Sequence, residues 1–115
     1  METREIEKKL ENYRDILIDL KNKLDLDNKI NRLSELDNIT SKSDFWSSSN
    51  TKEILEEQKN LRNLISKYRD VEDKVLFMCE MIELELSESD LDSLINDLND
   101  IDGKIDELKL TTFLN

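Results

Sequence analysis

The order of apolar and polar residues divides the chain into helical stretches. Between Thr51 and Leu86 there is neither Pro nor Gly, and Ile54, Leu61, Tyr68, Val75 and Ile82 stand seven apart. Leu64, Val71 and Met78 form a second row, and Ile65, Cys79 and Leu86 a third. Rows at that interval fall on one broad face of an α-helix, the seam along which helices pack. A helix of roughly 36 residues runs about 54 Å at 1.5 Å per residue. The pattern therefore predicts a mast over 51–86, entered through an Asn50/Glu53 capping box, with the other segments lying against it.

Upstream, residues 2–24 read as a first helix. Ile6, Tyr13 and Leu20 interleave with Leu10, Leu17 and Leu24 as an unbroken heptad seam. After Leu24 the phase fails, because the next apolar residues are Leu26, Ile30, Leu33 and Leu36. A kink near Asp25–Asp27 with either Asp as cap resets the register into a short helix over about 28–38. Residues 40–50 form a polar loop, since their Ser, Thr, Asn and Asp side chains compete for the backbone. That loop carries Phe45 and Trp46, either a plug holding it onto the helices or an exposed contact for a partner.

Within the mast, Val75–Ile82 is apolar on more than one face, which predicts cover from the returning helix and from another element. Ser87 with Asp90, or Ser89 with Asp92, caps a last helix over about 89–110. Its rows are Leu91, Leu98, Ile105 and Leu94, Ile101, Leu108. Gly103 lies on neither row and permits a bend. The expected fold is all-α: an elongated antiparallel helical bundle, a coiled-coil hairpin with two further N-terminal helices packed on it, forming a single helical domain over 1–115.

Charge changes the picture. Of the formal net charge of −11, the segment Glu80–Glu107 carries −10, eleven acids against Lys104 alone. Such a field repels nucleic-acid phosphates, so no direct nucleic-acid binding is expected. The acids read as a solvated face or as a contact for a basic protein, with Glu88, Asp90, Asp92 and Asp97 as the candidate surface. One Cys excludes an internal disulfide and fits a reducing compartment. Neither a signal peptide nor a membrane span is evident, and a cytoplasmic location is expected.

Candidate chemistry is thin. There is no His, and one Gly rules out Gly-rich phosphate loops. An EF-hand reading fails at Asp25 and Asp27, because Lys29, Ile30 and Leu36 stand where an oxygen ligand, Gly and Glu are needed. Aligning Gly103 as the loop glycine puts Leu98 and Lys109 at ligand positions, and that frame fails too. Cys79, Met78 and Met81 read as core filling. No catalytic residue, metal site or cofactor is predicted, and the chain is not expected to be an enzyme.

Some stretches are more particular than heptads. Leu24-Asp-Leu-Asp27 leads into Ile30-Asn-Arg-Leu-Ser-Glu-Leu36, then Ser43-Asp-Phe-Trp46, the long helix, an acidic turn, and Glu107-Leu-Lys-Leu-Thr-Thr-Phe-Leu114. This order resembles the N-terminal helical domain of the bacterial peptide chain release factor 2 family, most specifically in the Asp-Phe-Trp segment and the Leu-Asp-x-Asp stretch. The resemblance implies a factor that acts at UGA or UAA codons on the ribosome and triggers peptidyl-tRNA hydrolysis. The family's Gly-Gly-Gln and Ser-Pro-Phe loops cannot be present here, since the chain has one Gly and no Pro. No catalytic or codon-reading residue carries over. The resemblance implies a monomeric positioning module whose partners are the ribosome, through stalk-base proteins, and the recycling GTPase release factor. The rival expectation is a free-standing coiled-coil adaptor that self-associates through Val75–Ile82.

Overall fold

The computed structural model describes residues 2–114. Four helices follow one another: α1 (Thr3–Lys23), α2 (Leu26–Thr40), α3 (Thr51–Met81) and α4 (Glu88–Leu114), with one 3₁₀ turn at Phe45–Ser47. Among the described residues there is no strand. The molecule measures 59 × 27 × 18 Å and its radius of gyration is 18.3 Å. A compact chain of this length would have about 13 Å. The excess comes from α3, whose 31 residues span about 46 Å.

Helix α1 packs on both α3 and α4, and α3 packs on α4. Helix α2 lies against α3 and α1 and does not reach α4, while the 3₁₀ turn rests on α2 and α3. Most of the predicted rows form the core, although Leu61, Leu64, Cys79, Leu86 and Leu91 are only partly buried against it and Ile54 lies outside it. Ile6, Leu10, Tyr13, Leu17, Leu20 and Leu24 of the first stretch are buried, as are Tyr68, Val71, Val75 and Met78 of α3. Leu94, Leu98, Ile101, Ile105 and Leu108 close the core from α4. Leu36 and Phe45 are buried apart from this main cluster, beneath the loop end of α2.

Several boundaries differ from the sequence reading. The α1–α2 break is tighter than expected, and α2 begins at Leu26 rather than near residue 28. Asp25 alone makes the corner, at φ 52°, the left-handed conformation that short polar residues tolerate best after Gly. Leu24 and Leu26 are buried on either side of it, which pins the corner. The Asp25 side chain caps no backbone N–H. It accepts instead from the Asn28 amide at 2.9 Å, and the Lys29 ammonium donates to the Leu24 carbonyl at 2.5 Å.

The Asn50/Glu53 capping box does not form, since Asn50 stands at the N-cap without a side-chain bond. Helix α3 stops at Met81, short of Leu86, in a tightened turn where Glu83 and Leu84 donate to the Glu80 and Met81 carbonyls. Its last turn has no base, and Glu80, Glu83 and Glu85 oppose the negative helix end. Leu86 turns back onto the core instead of extending the seam. The Val75–Ile82 stretch is covered as expected by the returning helix α4 and by a second element, α1, while Leu76 and Phe77 on its remaining face are 46% and 54% exposed. Helix α4 runs unbroken through Gly103 and continues to Leu114.

Polar ties join the helices outside the core. The Arg32 guanidinium binds Glu57 with two bonds, 2.8 and 3.0 Å, and reaches Glu35 at 3.2 Å. Those hydrogen bonds hold the Glu57 carboxyl below its ordinary range and raise the Arg32 guanidinium further. Asp37 accepts from Gln58 and Arg62, each at 2.6 Å. These pairs fix α2 alongside the first half of α3 and add geometric specificity, though exposed pairs contribute little energy.

Candidate protein-contact surface

The reversal between α3 and α4 is built by a reciprocal cap. The Asp90 amide donates to the Ser87 hydroxyl at 3.1 Å, and the Ser87 amide donates to the Asp90 carboxylate at 3.4 Å. Of the two caps proposed from sequence, the Ser87/Asp90 pair forms. Glu88 and Asp90 lie in the first turn of α4, where negative charge meets the positive helix end.

The four candidate residues therefore divide. Glu88, Asp90 and Asp92 are exposed, and Asp97 is half-buried. Asp90 is engaged in the cap, and Asp97 faces Lys74 of α3 at 3.5 Å. Glu88 and Asp92 make no ion pair among the described residues. Further along α4, Asp100 pairs with Lys104 at 3.2 Å and Asp102 accepts a bond from Tyr13. So part of the acidic segment holds helices together, while Glu88 and Asp92 at the start of α4 join Glu80, Glu83 and Glu85 before it and Asp106 and Glu107 farther along as exposed charge.

Two buried tyrosines stitch the bundle. Tyr13 of α1 donates to the Asp102 carboxylate, with the Leu98 carbonyl 3.4 Å away. Tyr68 of α3 donates to the Leu17 carbonyl at 2.9 Å. Burial raises both hydroxyls, Tyr68 to about 12, with Glu72 adding to the shift. For Tyr13, Asp102 and Asp106 add to the effect of burial. The sequence placed both tyrosines on seams, but nothing in it announced their partners, because Asp102 lies 89 residues from Tyr13.

Phe45 and Trp46 part company. Phe45 is buried and Trp46 is 69% exposed, the rings meeting edge to face at 5.1 Å. One is the plug, and the other points to solvent. Cys79 is half-buried with its thiol pushed up by burial, the opposite of an activated thiolate. Among the described residues no group of three or more His, Cys, Asp or Glu could hold a metal ion, and no helix is long and apolar enough to cross a membrane.

The chain matches no family model. It does match curated proteins from end to end. Peptide chain release factor 2 of Staphylococcus haemolyticus is 27% identical over 118 residues, which takes in 99% of this chain and 32% of that protein. The same factor of Acholeplasma laidlawii is 32% identical over 124 residues, covering the whole chain and again 32% of the relative. The chain is a distant homologue of bacterial peptide chain release factor 2. That of Staphylococcus epidermidis aligns over the same share, at 27% identity. The chain thus spans about a third of the length of the curated relatives it matches. No solved structure matches it.

Proposed function

We propose that this chain is the N-terminal helical domain of a translation termination factor, a non-catalytic module that positions other regions on the ribosome and contacts proteins there. The observation that carries this reading is the end-to-end match to a third of release factor 2. In that role, UGA or UAA recognition and peptidyl-tRNA hydrolysis belong to regions outside these residues, and the module needs no cofactor.

The fold suits such work. Helices α3 and α4 act as an antiparallel coiled-coil hairpin, stiffened by α1 packed on both. The outward acids at the start of α4, Glu88 and Asp92 with Asp90 beside them, select basic protein surfaces and disfavour rRNA. Stalk-base proteins of the ribosome and the recycling GTPase release factor are the partners in this reading, and the cytoplasm is the place. The rival reading, a self-associating adaptor, draws on the exposed Leu76 and Phe77.

Translation of the reading frame beyond Asn115 tests the proposal directly. A Gly-Gly-Gln segment and a Ser-Pro-Phe segment are expected downstream, in a protein that releases peptide at UGA. A frame that closes without them, together with a tight dimer in sedimentation, replaces the proposal with the adaptor.

A further inference from the structure

Of the grooves between the three packed helices, the one between α1 and α3 carries exposed aliphatic side chains at its middle. Ile18 of α1 is 63% exposed and Leu76 of α3 is 46% exposed. They line the same depression, whose floor includes Leu17 and Val75. The depression continues past Arg14 toward Cys79 and Ile82. Helix α2 lies against α3 elsewhere, through Arg32–Glu57 and Asp37–Arg62, and leaves this groove open.

Charge is graded along it. One end is net acidic, with Glu7 and Glu11 from α1 and Glu83 beyond the end of α3 outnumbering Arg14. The other end carries Lys21 and Glu72, with Lys21 paired to Asp27 of α2 at 3.7 Å. Two copies of this chain would present groove to groove, concave against concave, and bring two bodies of net charge −11 together. A convex rod with an apolar stripe fills the groove instead, the helix-in-groove mode of recognition.

We propose that the α1–α3 groove receives an amphipathic helix from another protein, with its apolar stripe over Ile18 and Leu76 and its basic end over Glu7, Glu11 and Glu83. This surface is separate from the acidic start of α4, and the two are testable apart.

The test uses a fluorescein-labelled peptide of roughly 18 residues, about five turns, with a Leu stripe and Lys flanking it over one half. A second peptide carries Glu in place of Lys. By fluorescence anisotropy the Lys peptide is expected to bind, and the Glu peptide to bind on the order of tenfold or more weakly. Ile18→Asp and Leu76→Asp, both at exposed positions, should abolish binding while circular dichroism stays unchanged. Glu11→Lys with Glu83→Lys should reverse the preference between peptides. Glu88→Gln with Asp92→Asn should leave binding as it was. The proposal is overturned if the Leu76→Asp protein still binds, if binding follows Glu88 and Asp92 instead, or if the wild-type chain sediments as a dimer that Leu76→Asp dissolves.

Discussion

The Tyr13 hydroxyl on α1 donates a hydrogen bond to the Asp102 carboxylate on α4, joining two residues 89 apart in sequence. Tyr13 is buried and Asp102 is exposed, so the bond places a charged acceptor at the rim and its donor inside. Removing the hydroxyl leaves Asp102 free to hydrate, which avoids the larger cost of an orphaned buried charge. Tyr13→Phe should therefore cost about 1–2 kcal/mol, read from urea denaturation, with helix content unchanged. No loss in midpoint would mean that water replaces the bond without penalty.

The tyrosines also set an alkaline limit. Tyr68 holds its proton to about 12 in the folded chain against 10.0 ordinarily, and Tyr13 is raised as well. A raised folded value means that the unfolded chain loses its proton first. Stability from these groups is then complete below about pH 10 and declines as pH rises toward the folded value. Unfolding by urea at stepped pH should show a midpoint falling above about pH 10, and Tyr68→Phe should flatten that fall. A Tyr68→Phe curve parallel to wild type would remove Tyr68 as a cause.

Gly103 offers the reverse case. It lies inside α4 on the exposed face, and a Cβ built there meets nothing within 4 Å. Glycine in a helix interior costs roughly 0.5–1 kcal/mol relative to alanine, mainly through unfolded-chain entropy. Gly103→Ala should raise the thermal midpoint. An unchanged or lower midpoint would show that α4 needs local flexibility at this position.

Phe45 and Trp46 should separate just as clearly. Phe45→Ala removes a buried ring and should cost roughly 3 kcal/mol. Trp46→Ala removes an exposed one and should fall within about 0.5 kcal/mol of wild type. Trp46 is the only tryptophan, so its fluorescence should be readily quenched by iodide in the folded protein. Strong protection from iodide would place it inside a contact.

How much of this was legible in advance follows from the range of the forces involved. The seam rows are local and periodic, so Ile6 to Leu24 and Leu94 to Leu108 could be read as core faces and are buried. Helix ends were less legible. The Asn50/Glu53 pair has the spelling of a cap without the bond, while Ser87 and Asp90 have both. The end of α3 depended on Leu86 finding the core, a contact that no local pattern encodes. Among the candidate acids, Asp97 facing Lys74 and Asp90 serving the cap became visible only once α3 and α4 lay side by side.

That division makes the acidic surface testable without confusing contact with stability. Ser87→Ala removes the hydroxyl that accepts from the Asp90 amide and should cost about 1 kcal/mol. Asp90→Asn weakens the reciprocal half of the same cap, and Asp97→Asn gives up the Lys74 partner. Glu88→Gln and Asp92→Asn remove outward charge from exposed positions that hold no other helix. In a full-length release factor, on the function proposed above, this last pair should leave the urea midpoint within about 0.5 kcal/mol of wild type yet slow factor recycling on ribosomes, most at low salt where exposed charge reaches farthest. Recycling that proceeds at the wild-type rate, with stability also intact, would reduce the start of α4 to a solvated face.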